Sequence, residues 1–599
     1  MKKISLRFIA GLMATTLGLG FFGPPPPGAH ADPAIGTPQW LQQPDGTRFQ
    51  ARLWGDEFAN GWETLDGYSI LQKEPSGDWV YAKRDPTGRL AATALVVAKD
   101  SPLAVLAKHE RPSEAIVEKA MPGRSPGPGA EAAPTKSGNV NIPVLLIKFP
   151  DKANVKTNVD FQLNLFGGGA SGPGDLKDYF KETSYNSLTL SSGPGGIPNW
   201  VTSNNNRSYY DPADYSKVQE LVAEAIQKAD AAGFDFAPYD NDNNGSVDVV
   251  AVVFAGCGPD VGAWCADPPG DGLWPHQWTL QTPVTVDGKQ ASVYTIQSEL
   301  LWDTPSAAIR TIGVFAHELG HSFGLPDLYD TVSGDGDSEG IGHWGLMGSG
   351  CWTSNNPGTE NGESPAHMEA WSKWFMGWVN PTLIQGSTNN SSIPQVETNA
   401  TVYQLRSNPN GVDWRFGSSG TGEYFLAENR QQTGFDQGLD GCGLLIWHID
   451  ENRPGDGTAN GDETHKLVDL EEADGNNDLD NMTNRGDAGD PYRGSSGKTT
   501  FDSTSTPNSN LYSSAASGAS VSDISAGCAQ TMTADLTTAT PGGPVGGIAE
   551  LAPADASTPA GPTDCTARGT MFAATAAGGA LLLAAGGWYA RRRYSVRRR

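Results

Sequence analysis

Apolar and polar positions follow different periods in successive stretches of this chain, and the changes of period mark its parts. From Asp32 to about Glu118, short strand-like runs (ARLWG, YSILQK, DWVYAKR) alternate with turn signals such as Asp66-Gly67 and Pro86-Thr87-Gly88, which predicts a small β-rich segment. Pro122 to Gly138 is a Pro/Gly/Ala linker. Beyond it the pattern turns α/β. Ile142 to Phe149 and Val247 to Gly256 are unbroken apolar runs of buried-strand type, and Leu176 to Ser184 reads as a short helix followed by the strand SLTLSS. Ser216 to Ala232 repeats at helical spacing through Val218, Leu221, Val222, Ala225 and Ile226. Pro305 to Phe323 predicts a helix with Ile312, Phe315, Leu319 and Phe323 as its core stripe, and Ser364 to Trp378 a further helix. From about residue 381 to 540 the texture is strands and Gly/Asp/Asn turns, which predicts a β-sandwich.

The ends carry their own signals. Lys2, Lys3 and Arg7 precede an apolar stretch from Phe8 to Phe22, and Ala29-His30-Ala31 offers a small-x-small cleavage site, so residues 1–31 read as a signal peptide. Residues 541–569 form a Pro/Gly stalk. Thr570 to Ala590 is apolar over a bilayer-spanning length and is followed at once by Arg591, Arg592 and Arg593, which predicts a transmembrane helix with a cytoplasmic basic tail, 591–599. The expectation is a chain exported across the membrane and anchored at the cell surface by that helix.

The histidines at 317 and 321, off the core stripe of their helix, carry the chemistry. His317 to Asp327 reads HELGHSFGLPD. Residues four apart on a helix share a face, so the two imidazoles can grip one metal ion, with Glu318 beside them as general base. Gly324 can end the helix in a left-handed conformation and return the chain so that Asp327 supplies a third ligand. Asp330, three residues on, competes for that role, and either carboxylate could instead support a histidine from behind. Two imidazoles and a carboxylate suit zinc, which acidifies a bound water and polarises a carbonyl. Met347, in WGLMGS about twenty residues downstream, resembles the Met-turn beneath the metal of metzincins. Ser349 occupies the position where many of those enzymes place a tyrosine, which leaves Tyr329 or His367 as candidate oxyanion partners.

Asp240, Asp242, Asn244 and Asp248 repeat the oxygen spacing of a calcium loop, without the glutamate that would complete it at Ala251. A second acidic run, Asp469, Glu471, Asp474, Asn476, Asp478 and Asp480, reads as an exposed acidic face. His276 and His448 read as packed histidines; His343 stays open. The formal net charge of −27 over 599 residues excludes a nucleic-acid partner on electrostatic grounds. Six cysteines in an exported chain predict disulfides. Cys257 and Cys265 are close enough to staple one loop; the pairing of Cys351, Cys442, Cys528 and Cys565 is open.

The wording of the chain resembles the immune inhibitor A family of secreted bacterial metalloproteases. The blocks that carry the resemblance, in order, are GDEFANGWETLDGY, LKDYFKETSYNSLTLSSG, YDNDNNGSVDVVAVVFAG, FAHELGHSFGLPDLYD, HWGLMGSGCW, KWFMGWVNP, EYFLAENRQ and GLLIWHIDE. The resemblance implies a zymogen with a zinc endopeptidase domain, a trailing β-rich domain and structural calcium. The expected fold class is therefore an α/β (α+β) zincin-like catalytic domain (139–380) behind a prosegment (32–121) and linker (122–138), with a β-sandwich (381–540) and a single C-terminal transmembrane helix. The expected activity is hydrolysis of peptide bonds through a zinc-bound water with Glu318 as base, on protein or peptide substrates, after removal of the prosegment by an activating protease. An adhesin with a structural zinc site, or a zinc hydrolase of a non-peptide amide, fits the same residues. No cysteine lies between Asp32 and Met121, so a thiolate cannot hold the zymogen latent. A carboxylate from Gly55–Phe58 or Glu63–Gly67, or His109, is the candidate group.

Overall fold

The apolar runs behind the linker assemble into one mixed sheet in the computed structural model, which describes residues 30–539 apart from 103–105, 121–134, 169–171, 211–214, 266–272, 304–305, 333–337, 409–411, 413–421 and 452–458. The order across the sheet is His30–Ala31, His276–Val286, Lys289–Trp302, Val250–Cys257, Val144–Lys148 and Val201–Thr202. The strands from Lys289 onward in that order are mutually parallel, whereas His276–Val286 pairs antiparallel to Lys289–Trp302. Val250–Cys257 is buried along its whole length, as expected of a strand covered on both faces. One face packs on the helix Tyr215–Ala231 through Leu221, Val222, Ala225 and Ile226. The other packs on Ile312–Ser322, Leu176–Thr183 and Asn158–Phe166.

Two helices are shorter than their periodicity predicts. The motif helix begins at Ile312, because Ala308–Ile309 is captured as a short strand against Leu300 and Trp302. The later helix spans only Ala370–Phe375. Pro365 interrupts the helical ladder before it, the His367 amide is spent on Asp436, and Glu369 caps the helix at the Ser372 amide.

Residues 39–96 form a six-stranded antiparallel meander in chain order, with Leu41, Phe49, Leu53, Trp62, Ile70, Trp79 and Tyr81 at its core. Trp274, from the other side of the linker, completes that core. After residue 381 a five-stranded and a three-stranded sheet share one core of Phe425, Leu444, Ile446, Phe501, Val521, Met532 and Leu536. A Cys442–Cys528 disulfide closes this region, a Cys257–Cys265 disulfide staples the loop after Val250–Cys257, and Cys351 is buried as a free thiol.

The expected transmembrane helix requires correction. Among the described residues no helix is long and apolar enough to cross a membrane. The longest, Tyr215–Ala231, has 17 residues and carries Lys217, Glu220, Glu224 and Lys228, so it is an amphipathic helix covering a sheet. The signal segment before His30, most of the linker, the stalk, Thr570–Ala590 and the basic tail lie outside the described residues. The fold is mixed α/β, with further sheets before and after the central one.

Candidate active site

The motif helix ends because Gly324 takes a φ of +96°, open to glycine at little cost. Its amide bonds the His321 carbonyl, and the Leu325 amide reaches back to Gly320, which closes the helix and turns the chain. That turn brings Asp327 under the two histidines. His317 Nε2 lies 3.0 Å from His321 Nε2, and Asp327 Oδ1 lies 3.2 Å and 3.1 Å from the two nitrogens. His317 Nδ1 donates to the Leu346 carbonyl at 3.0 Å and His321 Nδ1 to the Leu325 carbonyl at 2.9 Å. With Nδ1 protonated in both rings, each Nε2 presents a lone pair toward the same point as the carboxylate. Three acceptors so placed repel one another unless a cation lies between them. Ligands about 2.0–2.2 Å from a tetrahedral zinc ion sit about 3.3 Å apart, so the donor set fits that metal in number, chemistry and spacing.

The histidine ring orientations depend on two further contacts. Met347 packs against the helix at Gly320, where a Cβ would come within 2.6 Å of its sulfur. The Leu328 amide donates to the Met347 carbonyl at 2.8 Å, so the loop that carries Asp327 is tied to the turn that carries Leu346. Asp330, the competing ligand, is spent elsewhere: its carboxylate accepts from the amides of Val332 and Ser338.

Glu318 is fully buried next to the donor set, and no side chain donates to either of its oxygens among the described residues. Burial first, then the charges of Asp32, Glu57 and Asp327, pushes its carboxyl well above the ordinary range, and the Asp32 backbone amide opposes that shift. A metal ion between the histidines would reverse the balance by adding positive charge. Tyr329 is the oxyanion candidate within electrostatic reach of this centre; burial, followed by Asp327, Asp56, Glu57 and Asp32, holds its phenol well above its ordinary value, so it stays a neutral donor. His367 does not face the centre: it is buried between Glu182 and Lys373.

The segment ahead of the linker enters the cleft. His30–Ala31 pairs antiparallel with His276 and Gln277 on the sheet edge. Trp274 Nε1 donates to the Asp32 carbonyl at 3.0 Å and Trp352 Nε1 to the Pro33 carbonyl at 2.6 Å. Asp32 is buried among Asp260, Arg310 and Asp327, a position that sequence reasoning missed because an isolated aspartate before a proline carries no motif. Of the three groups named as candidates for latency, Asp56 and Glu57 approach the site. Glu63 instead holds Arg52, Arg111 and His109 inside the meander.

In the calcium-like loop, carboxylate atoms of Asp240, Asp242 and Asp248 lie within 4.8 Å of one another, and Lys289 Nζ sits 2.6 Å from Asp240. Asn244 Oδ1 accepts from the Ser246 amide. His276 and His448 are packed: His276 bonds the Trp274 carbonyl and Tyr294, and His448 stacks on Tyr512. His343 lies between Asp440 and Glu360, away from the metal donors.

Residues 139–379 match the family model described as immune inhibitor A peptidase M6, catalytic domain. Immune inhibitor A of Bacillus thuringiensis subsp. alesti is 29% identical over 240 residues, which cover 34% of this chain and 33% of that protein. The pre-pro-metalloprotease PrtV of Vibrio cholerae serotype O1 (strain M66-2) is 27% identical over 233 residues, covering 34% of this chain and 24% of that protein. The chain thus spans about a third or less of the curated relatives it matches.

Proposed function

We infer that this chain, which carries an immune inhibitor A-type peptidase domain at residues 139–379, is a zinc endopeptidase held latent by its own N-terminal segment. The observation that carries the reading is the convergence of His317 Nε2, His321 Nε2 and Asp327 Oδ1 at 3.0–3.2 Å, with Glu318 buried beside them. These three residues would hold the ion; when bound, zinc supplies Lewis acidity toward a scissile carbonyl and an acidified water. Glu318 takes a proton from the attacking water and returns it to the leaving amine. Tyr329 offers its phenolic hydroxyl to the oxygen on which charge develops. The edge strand His276–Val286 aligns an extended peptide by backbone hydrogen bonds, as it now aligns His30–Ala31.

The zymogen reading is supported by the first residues after the expected signal cleavage, since Trp274 and Trp352 hold the Asp32 and Pro33 carbonyls and the Asp32 charge acts on Glu318. Two disulfides fit export to an oxidising compartment. Calcium is a second metal of this reading, at Asp240, Asp242 and Asp248 with Lys289 as its competitor. The test is casein digestion by metal-loaded protein cleaved within residues 122–138, with and without a zinc chelator. Chelator-sensitive digestion supports the reading. Its absence from folded, zinc-loaded, cleaved protein would favour a binding protein with a structural metal or a hydrolase of another amide.

A further inference from the structure

The strand Glu423–Arg430 lies beyond the peptidase residues 139–379, and every residue after Glu423 in it is buried. Its side chains alternate between two cores, as the period of a strand requires. Phe425 and Ala427 belong to the core shared with Val521, Met532 and Leu536. Tyr424 and Leu426, with Leu445, Trp447 and Ile449 of the neighbouring strand, belong instead to the core that holds Trp344, Leu346, Met347 and the motif helix. The same alternation turns Glu428 and Arg430 toward the peptidase side, where both are fully buried.

A buried guanidinium needs partners for its charge and its N–H donors. Arg430 Nε and Nη2 form a fork on Asp436, at 2.8 Å and 2.7 Å, and Asp436 also accepts the His367 amide at 2.8 Å. Nη1 lies 3.4 Å from Glu428, whose same oxygen accepts from Trp447 Nε1 at 3.0 Å. Because the guanidinium is planar and rigid, the fork on Asp436 fixes where the remaining N–H groups point. Nη1 donates to the Trp344 carbonyl, 2.9 Å away.

That carbonyl begins the turn that orients the metal donors, and every carbonyl from Trp344 to Met347 is engaged. Gly345 accepts from the Gly348 and Gly350 amides within the turn, Leu346 from His317 Nδ1, and Met347 from the Leu328 amide. Trp344 is anchored from outside, by Arg430. The turn has little room to yield. A Cβ on Gly348 would come within 2.6 Å of the Gly342 carbonyl oxygen, and one on Gly350 within 2.4 Å of the Gly345 carbonyl oxygen. A shift of the Trp344 carbonyl therefore passes to Leu346, two residues on, and to the imidazole that Leu346 holds.

We propose, resting on the peptidase reading, that Arg430 is a positioning residue for the metal centre, so that the region after residue 381 completes a site whose donors His317, His321 and Asp327 all lie within residues 139–379. Arg430 acts through Trp344 and Leu346 on the direction and tautomer of His317. Arg430→Lys keeps the positive charge, but a single ammonium lacks the planar fork that aims Nη1.

The test compares the full chain as wild type, Arg430→Lys, Asp436→Asn and Arg406→Lys. Arg406, in the same region, donates to the Glu423 and Ser517 carbonyls and not to the turn, so Arg406→Lys controls for a general loss of stability. Zinc affinity is read by competition with a chromogenic chelator, and the geometry of the donor set by the d–d absorption of protein loaded with cobalt(II). Arg430→Lys is expected to lower zinc affinity about 10–100-fold and to shift the cobalt bands, while Arg406→Lys changes neither. Where Arg430→Lys does not fold, Asp436→Asn decides by the same readings, because it keeps the guanidinium and removes its clamp. A folded Arg430→Lys with wild-type zinc affinity and wild-type cobalt bands would overturn the proposal, as would equal losses in Arg406→Lys. A wild type that binds no zinc would overturn the peptidase reading, and this assignment with it.

Discussion

His317 Nδ1 donates to the carbonyl of Leu346 at 3.0 Å, so the turn that ends in Met347 determines which nitrogen of the histidine faces the metal position. The same turn receives the Leu328 amide at the Met347 carbonyl and so fixes the loop bearing Asp327. Two of the three donors are therefore oriented by one segment that ligates nothing itself, the arrangement by which supporting hydrogen bonds fix a ring's tautomer and direction.

On the proposed reading Glu318 moves protons and does not hold the ion. Glu318→Gln should retain wild-type zinc content while kcat falls by about 10²–10⁴-fold, the range over which general bases act. Metal analysis beside a peptide-cleavage assay checks both halves. A variant that loses zinc in parallel with activity would show that Glu318 is part of the donor set.

Asp327 and Asp330 compete on the sequence and separate in the structure. Asp327→Ala should lower zinc affinity by more than the ~10–100-fold typical of a lost supporting group. Asp330→Asn, which removes charge from a carboxylate spent on the Val332 and Ser338 amides, should leave zinc affinity within a few-fold of wild type. Competition titration against a chromogenic chelator distinguishes them.

Much of the site was legible in the chain because helix geometry fixes it locally. The 4-residue histidine spacing, the glycine stop and Asp327 lie within eleven residues, and no distant contact is needed to bring them together. The competing Asp330 could not be set aside from spacing, because what removes it is the capture of its carboxylate by amides further along. Asp32 was invisible for a related reason: nearly three hundred residues separate it from Glu318, and tertiary contacts such as the Trp274 and Trp352 hydrogen bonds to the Asp32 and Pro33 carbonyls bring them together. Helix ends failed where Ala308–Ile309 and His367 found partners outside their own helices.

The N-terminal segment is held at Asp32 by an indole. Trp274→Phe keeps the aromatic core of the meander but removes the 3.0 Å donor to the Asp32 carbonyl. A lost hydrogen bond of about 1 kcal/mol should raise the residual activity of the uncleaved chain about fivefold. Peptide cleavage by the uncleaved Trp274→Phe protein, with uncleaved Glu318→Gln as blank, reads this out; no increase would show that latency rests elsewhere.

The two disulfides should differ in worth. Cys442–Cys528 spans a separation of 86 residues and Cys257–Cys265 one of 8. Loop-closure entropy alone favours the longer by about 2 kcal/mol. Cys442→Ser/Cys528→Ser should therefore lower unfolding stability by about 2–4 kcal/mol and Cys257→Ser/Cys265→Ser by less, in denaturant melts followed by tryptophan fluorescence.

His343 gives the chain an alkaline limit. Burial alone would lower its pKa, but Asp440 and Glu360, at 2.7 Å and 3.1 Å, outweigh that and raise it from 6.5 to about 9. A group whose folded pKa is raised contributes stability that is complete below its unfolded pKa and is lost as pH climbs through the folded value. The window is therefore pH 6.5 to about 9, and the contribution is on the order of 3 kcal/mol. Glu360 behaves oppositely: burial would raise it, yet Arg485 and His343 hold it at about 2, so its share is present above pH 4.5 and fades toward pH 2. The pair sits against the N-terminal segment, since Arg485 donates to the Ala34 carbonyl and Thr37 to Glu360. Loss of the His343 proton thus takes the cation from Asp440 and leaves Glu360 with Arg485, beside the contact that docks residues 34–37. Thermal melting of the uncleaved chain should fall between pH 6.5 and 9, and His343→Gln should flatten that slope while lowering stability at pH 6. A His343→Gln protein that keeps the wild-type slope would place the alkaline transition in another group.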